Sequence, residues 1–273
     1  MLHAKKSLGQ HFLRDPRILR KIADAAKLTA EDTVLEVGPG EGTLTAFLLE
    51  QAGKVIAVEK DARLIPVLRQ KFASEIASSK LNLIHADILS LDPSAYGLEP
   101  RAYKVVANLP YYITGQFLRA FLETEHQPSD MVLLLQKEVA RRIVAKDKRE
   151  SVLSISVKAY GTPRYVDTVK AGSFIPPPKV DSAILTIENI SKEFFKSFEV
   201  QPQEGSSRSN LKETAEKQFF ELLKKGFAHP RKFLSSNLKI TAEELVACGL
   251  KATARAEELS LSDWKCVAEL YRT

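Results

Sequence analysis

The chain has 273 residues, 40 Lys and Arg against 34 Asp and Glu, a net charge of +6, two cysteines and five histidines. That length suits about two globular domains. No run approaches the ~18 apolar residues of a membrane span, and the charged N-terminus lacks the apolar segment of a signal peptide. The histidines are scattered without ligand spacing, which argues against metal catalysis. Cys248 and Cys266 lie in helical-looking sequence and are expected to be ordinary packing residues of a cytoplasmic protein, not a disulfide.

In chain order, residues 16–28 predict an amphipathic helix, with Ile18, Leu19, Ile22, Ala25 and Ala26 on one face. Strands are predicted at 34–37, 55–59, 81–85, 104–108, 131–135, 164–169 and 183–187, with helices at 43–52, 62–74, 114–123, 137–146 and 151–159. This alternation predicts an α/β fold with a doubly wound, mostly parallel seven-stranded sheet. The last two strands are joined by a Pro-rich loop too short for a crossover helix, so they should pair antiparallel at one edge. Residues 200–217 are polar and read as a flexible linker or insertion. Short helical periods behind Ser or Thr caps then predict a small all-helical domain. The expected organisation is an α/β domain over 1–190, a linker over 191–217 and a helical domain over 218–273.

The first strand runs into Gly38-Pro39-Gly40-Glu41-Gly42, a turn whose glycines let backbone approach a ligand closely. The spacing is G-x-G-x-G and misses the G-x-G-x-x-G of dinucleotide folds. Glu36 and Glu41 bracket the loop and would repel a pyrophosphate, so a cationic ligand with an amino-acid moiety is the better match. The next strands end on Glu59, about 20 residues on, where such folds place the acid that takes ribose hydroxyls, and then on Asp87. A further strand ends in Asn108-Leu109-Pro110-Tyr111, where Pro110 stiffens the backbone. An amide oxygen, a neighbouring carbonyl and an aromatic face suit a planar base with an exocyclic amine.

These segments resemble the small-subunit ribosomal RNA adenine N6-dimethyltransferases. The resemblance extends to Lys6–Leu13, Val58–Asp61, Gln136–Ala140 and Phe174–Ser182, and covers most of the chain. It implies a class I, Rossmann-like methyltransferase fold with S-adenosylmethionine as donor. It also implies transfer of two methyls to each of two adjacent adenines in the 3′-terminal hairpin of small-subunit ribosomal RNA. By position, His11, Leu13, Gly38, Gly40, Glu59, Asp87 and Asn108 would hold the donor, with Glu59 on the ribose and Asp87 on the adenine amine. Many relatives carry Asn where this chain has His11, so an altered contact is expected there.

Asn108, Leu109, Pro110, Tyr111 and Phe174 are the candidate catalytic residues. Hydrogen bonds from the target amine to Asn108 Oδ1 and the Leu109 carbonyl would aim its lone pair at the methyl, leaving positioning and electrostatics to supply the acceleration. The base must leave its stack to reach such a pocket, and Tyr111 and a loop-borne Phe174 are expected to sandwich it. Three basic clusters suit phosphate contacts, which give affinity without sequence choice. Lys5 and Lys6, Arg141 and Arg142, and Lys224, Lys225, Arg231 and Lys232 represent them. The expected partner is the pre-30S subunit, bound by a monomer. Competing readings are a macrolide-resistance type methyltransferase of large-subunit RNA, a mainly non-catalytic assembly factor, and a methyltransferase for a small amine or protein.

Overall fold

The computed structural model describes residues 4–5, 8–196 and 208–271, the last stretch with side chains from residue 215 onward. In chain order it has β1 (Phe12–Leu13), α1 (Pro16–Ala25), β2 (Thr33–Val37), α2 (Thr43–Gln51), β3 (Lys54–Glu59), α3 (Ile65–Lys71), α4 (Ala73–Ala77) and β4 (Leu81–His85). There follow β5 (Tyr103–Asn108), α5 (Thr114–Glu123), β6 (Asp130–Gln136), α6 (Lys137–Ile143), α7 (Val152–Lys158), β7 (Thr162–Val169), β8 (Phe174–Ile175) and β9 (Ser182–Glu188). The remaining helices are α8 (Glu193–Lys196), α9 (Arg208–Gly226), α10 (Leu234–Leu238), α11 (Ala242–Ala247) and α12 (Leu261–Leu270). The chain divides into two compact units, Met1–Ala140 with Thr162–Ile190, and Arg141–Gly161 with Ser191–Thr273.

The first unit is a seven-stranded sheet of order β4-β3-β2-β5-β6-β9-β7, in which only β9 runs antiparallel to its neighbours. The central strands carry apolar side chains on both faces; Val34, Leu35, Val55, Ile56, Val105 and Val106 are all buried. A sheet covered on both faces gives continuous apolar runs instead of alternation, which is why these strands are easy to recognise. Edge strand β7 alternates instead and tolerates Pro163. Helix α1 starts behind Asp15, whose carboxylate caps the Arg17 N–H, with Pro16 in the first turn. It buries Leu19, Ile22 and Ala23.

Strand order reverses between β2 and β5, which are adjacent and parallel although two strands, β3 and β4, separate them in sequence. A reversal of this kind leaves a crevice beyond the strand C-termini, where open α/β sheets bind ligands. Gly38 follows β2 and Asn108 ends β5, so both stand at that point. The seven strands and the antiparallel edge match expectation. The helix expected over 62–74 divides at Phe72 into α3 and α4. Two-residue strands β1 and β8, paired Phe12 to Ile175 and Leu13 to Phe174, are too short to leave a periodic signal.

The second unit is helical, and it differs from expectation in three ways. First, α7 belongs here and not with the sheet. Tyr160 lies against the rings of Phe195 and Phe220 at 5.1 and 5.9 Å, and its hydroxyl bonds Glu216. Strand–helix alternation cannot tell a helix laid on a sheet from one that leaves it. Second, Glu216 and the rest of 208–217 form part of α9, not a linker, while 197–207 of that expected stretch fall outside the described residues. Third, Cys248 and Cys266 form a disulfide between the end of α11 and α12, with Cα atoms 5.8 Å apart. Their spacing of 18 residues gives no hint of this, because helix packing brings them within bridging distance. Trp264 fills the centre of the unit, stacked on Phe227 at 5.5 Å. A Cβ on Gly226 would stand 2.3 Å from its indole, so only glycine fits.

Candidate active site

The crevice at the sheet reversal opens into a cleft of about 1150 Å³, counting its solvent-open mouth. His11, Leu13, Gly38, Gly40, Glu59, Asp87, Asn108, Leu109, Pro110, Tyr111 and Phe174 all line it. Strand β1 and the residue before it, the glycine loop, three further strand ends and β8 therefore converge on one cavity.

The glycine loop forms its floor. Gly38, Gly40 and Gly42 all have left-handed backbone, a conformation glycine adopts at no steric cost. Two of them need glycine for different reasons. At Gly42 a Cβ would lie 2.5 Å from the Phe72 ring, so the residue is fixed by packing. At Gly38 a Cβ would meet only the Asn108 carbonyl, at 3.9 Å, so the space above it is left for something else.

Glu59, only 5% exposed, ties the loop to β3: its carboxylate accepts from Gly40 N at 3.0 Å and Asp61 N at 2.8 Å. Burial raises its pKa, and these two N–H groups oppose the shift. Asp87 pairs with Lys60 at 2.6 Å, and the ammonium beside it holds that carboxyl below the usual carboxylate range. Asp61 is held low by Arg63 and also accepts from Gln10 Nε2 at 2.9 Å.

The two acids expected to repel a pyrophosphate do not face the ligand space as bare charges. Glu41 is held by Arg14 through two hydrogen bonds of 2.9 and 2.7 Å. Glu36 turns into the sheet interior, 1% exposed, with no hydrogen-bond partner on either oxygen among the described residues. Local sequence could not reveal Arg14, which lies 27 residues from its partner.

Glu36 leads to a pH prediction. Burial pushes its carboxyl up to about 8 from a reference of 4.5, with the Glu59 charge adding and Thr45 and Lys71 opposing. Below pH 4.5 the group is protonated whether the chain is folded or not. As pH rises toward 8 the unfolded chain ionises it and the folded chain does not, so native stability falls across that window. Glu36→Gln removes the effect. Its gain in unfolding free energy over the parent is expected to grow by roughly 3–5 kcal/mol between pH 5 and pH 8. Thermal melts of both proteins at the two pH values check this, and a gain independent of pH would contradict it.

Asn108 sits where β5 meets Pro110. Its Nδ2 donates to the His11 carbonyl at 3.2 Å, and among the described residues its Oδ1 has no donor. The amide is therefore held by one end and presents an acceptor to the cleft. Leu109 buries its side chain while Pro110, at φ −56°, turns the backbone into the loop. Tyr111 is half-buried, its hydroxyl bonded to Ser182 Oγ at 2.7 Å.

Residues 1–202 match the family described as ribosomal RNA adenine dimethylase. The chain belongs to that family.

Among relatives of this dimethylase, the ribosomal RNA small subunit methyltransferase A of Dehalococcoides mccartyi (strain CBDB1) is 43% identical, over 97% of this chain and 87% of its own. The protein of that name from Thermosynechococcus vestitus is 38% identical, over 100% of this chain and 98% of its own. Among solved structures, a dimethyladenosine transferase from Plasmodium falciparum superposes with a TM-score of 0.75 at 26% identity, over 96% of this chain and 98% of that one. The 23S rRNA methyltransferase ErmE superposes with 0.76 at 25% identity, over 96% of this chain and 100% of that one.

One expectation for this dimethylase meets a different arrangement. Phe174 is not presented by a loop: it is 2% exposed, lies in β8 against β1, and joins the apolar cluster under the cleft. Its neighbours Leu13 and Leu19 come from far upstream, so the three prolines that follow it gave no warning. The basic residues expected to meet phosphates are not among those that line the cleft. Arg141, Arg142, Lys224, Lys225, Arg231 and Lys232 are exposed residues of the helical unit, Lys5 is an exposed residue of the sheet unit, and Lys6 lies outside the described residues. Sequence reasoning gave no role to Gln10, Arg14 or Lys60, which brace the acids of the site. Only their place inside the resembling motifs could have flagged the first and last of these. No cluster of His, Cys, Asp or Glu fit to hold a metal occurs among the described residues, and no helix there is long and apolar enough to cross a membrane.

Proposed function

We propose that this chain transfers methyl groups from S-adenosylmethionine to N6 of two adjacent adenines in the 3′-terminal hairpin of small-subunit ribosomal RNA, two to each, during subunit assembly. The observation that carries the reading is the Asn108 amide, anchored through Nδ2 and offering Oδ1 at the sheet reversal beside Gly38.

The residues present fit the donor. The open face of Gly38 admits a ligand at backbone distance, Glu59 keeps acceptor capacity for ribose hydroxyls beyond its two N–H bonds, and Asp87 can accept from an adenine amine. When bound, the donor supplies an electrophilic methyl on a positively charged sulfur. The protein's part is to hold the acceptor amine. Asn108 Oδ1 and the Leu109 carbonyl would each take one N–H of the adenine amine, drawing its nitrogen toward a tetrahedral shape and fixing the lone pair on the methyl. Bringing the two reactants into line is the main contribution, as in other positioned displacements. The product nitrogen is a strong acid once methylated and releases its proton to solvent, so no side chain need serve as base. The exposed basic residues would meet phosphates.

The superposition on ErmE supports a second reading, methylation of large-subunit RNA, as much as the first, because the two solved structures match this chain equally well. The identities of 38 and 43% to small-subunit enzymes support the first. The test is labelled-methyl transfer to undermethylated small and large subunits in parallel, with mapping of the modified bases. Label confined to two adjacent adenines of the small subunit is expected. Label in the large subunit would replace this reading with the second.

A further inference from the structure

Turning a base out of an RNA stack leaves its neighbour with one face bare, and that lost stacking is part of the cost of extrusion. We infer that Tyr112 offsets this cost: its ring, at the mouth of the cleft, stacks on the nucleotide beside the target adenine. The inference rests on the methyltransferase reading above and deepens it, by naming a contact to RNA outside the pocket that takes the target base.

Tyr111 and Tyr112 are consecutive but stand in different surroundings. Both belong to one 3₁₀ turn, Tyr111–Ile113, in which the Ile113 N–H donates to the Pro110 carbonyl at 3.1 Å. Tyr111 is half-buried and bonded to Ser182. Tyr112 is 59% exposed, the most exposed large apolar side chain among the described residues. It nevertheless lines the cleft. The ring therefore stands at the rim, one residue from Tyr111 in the same turn.

That ring is seated against the protein. Gly9 has left-handed backbone at φ +60°, and a Cβ there would lie 3.3 and 3.4 Å from two carbons of the Tyr112 ring. The same Cβ would lie 3.7 Å from Pro110 Cβ, so Gly9, Pro110 and Tyr112 meet at one point. A glycine lets the ring settle against bare backbone, and Pro110 stiffens the chain that carries it. Part of the ring is thus braced while the rest faces solvent. A ring already held in place loses little side-chain freedom when a base stacks on it. Every base has a π-face, so the platform takes whichever neighbour the extruded adenine leaves behind. Contact across 103 residues, from Gly9 to Tyr112, hides this seat from any local motif.

The test measures kcat/KM for undermethylated small subunits, donor Kd by calorimetry, and Tm, for the parent, Tyr112→Ala and Tyr112→Phe. Tyr112→Ala is expected to lower kcat/KM by on the order of 10–100-fold, the worth of one lost stacking face. Tyr112→Phe keeps the ring and should stay within about threefold of the parent. In both variants donor Kd should move by less than about threefold and Tm by less than about 2 °C, as for a surface residue. A second comparison uses subunits in which one adenine of the pair, first or second, is replaced by uridine, and follows transfer to the remaining adenine. A pyrimidine offers a smaller face, and the ring meets one side of the target. One of the two replacements should therefore slow the parent about 3–10-fold more than it slows Tyr112→Ala. An unchanged kcat/KM in Tyr112→Ala would overturn the proposal. So would a donor Kd weakened as much as the rate, or equal slowing of both proteins by each replacement. A parent that labels large subunits instead contradicts the substrate reading alone, and Tyr112→Ala assayed on those subunits then decides the stacking role by the same criterion. A parent inactive on both subunits would overturn both readings.

Discussion

Asn108→Ala is expected to lower kcat for methyl transfer by about 10²–10³-fold while the donor still binds within about threefold of the parent affinity. The amide is held by a single end, with Nδ2 on the His11 carbonyl and, among the described residues, Oδ1 without a donor. Removing it takes away an interaction made with the amine as its nitrogen becomes tetrahedral, which falls on the chemical step more than on substrate binding. Asn108→Asp should be no better. A carboxylate cannot donate to the His11 carbonyl, so two oxygens would face one another across the present 3.2 Å bond. Single-turnover methylation, with donor affinity measured separately, checks both variants. If donor affinity and rate fell in equal proportion, the amide would be acting as architecture for the donor pocket and not as a grip on the base.

Glu59→Gln is the second large effect and should fall on the other substrate. The carboxylate accepts from Gly40 N and Asp61 N at once, and a neutral amide can satisfy only one of these while turning its own N–H groups toward the other. The loop beneath the donor would lose its tie to β3, and the ribose hydroxyls would lose a charged acceptor. Hydrogen bonds to charged groups contribute about 1.5–3 kcal/mol each, so donor Kd should weaken by roughly 10–100-fold. The chemical step at saturating donor should change far less. A pH dependence accompanies this. Burial lifts the pKa of Glu59 above the ordinary carboxylate value, and only the ionised form accepts from all its partners. Donor affinity of the parent should therefore decline as pH falls through that raised pKa, and the decline should be absent in Glu59→Gln. Calorimetric titration across the acidic range measures it; identical pH profiles for the two proteins would remove Glu59 from donor binding.

Much of this arrangement could be read from the sequence because a sheet buried on both faces writes its strands as unbroken apolar runs. The runs of β2, β3, β4 and β5 each give way to a residue unlike the run before it, and Gly38, Glu59, Asp87 and Asn108 do line one cleft. What the sequence withheld were pairings between distant positions. Arg14 neutralises Glu41, Glu36 turns inward, and Phe174 packs beneath the cleft instead of standing over it. None of these follows from a residue's neighbours in the chain. The helical unit was harder still. Segment 151–159 has the same strand–helix rhythm as the sheet region, yet Tyr160 at its end is held by Glu216 and two phenylalanines of the second unit. Polar composition suggested a linker where α9 begins, because a polar helix and an unstructured stretch draw on the same residue types.

The most direct test is a structure of the protein on an undermethylated small subunit with a non-reactive analogue of the donor. The account predicts the target adenine turned out of its stack, its N6 within about 2.7–3.2 Å of Asn108 Oδ1 and the Leu109 carbonyl. An N6 that reaches neither oxygen, or an adenine still stacked in its hairpin with the cleft filled by something else, would contradict it.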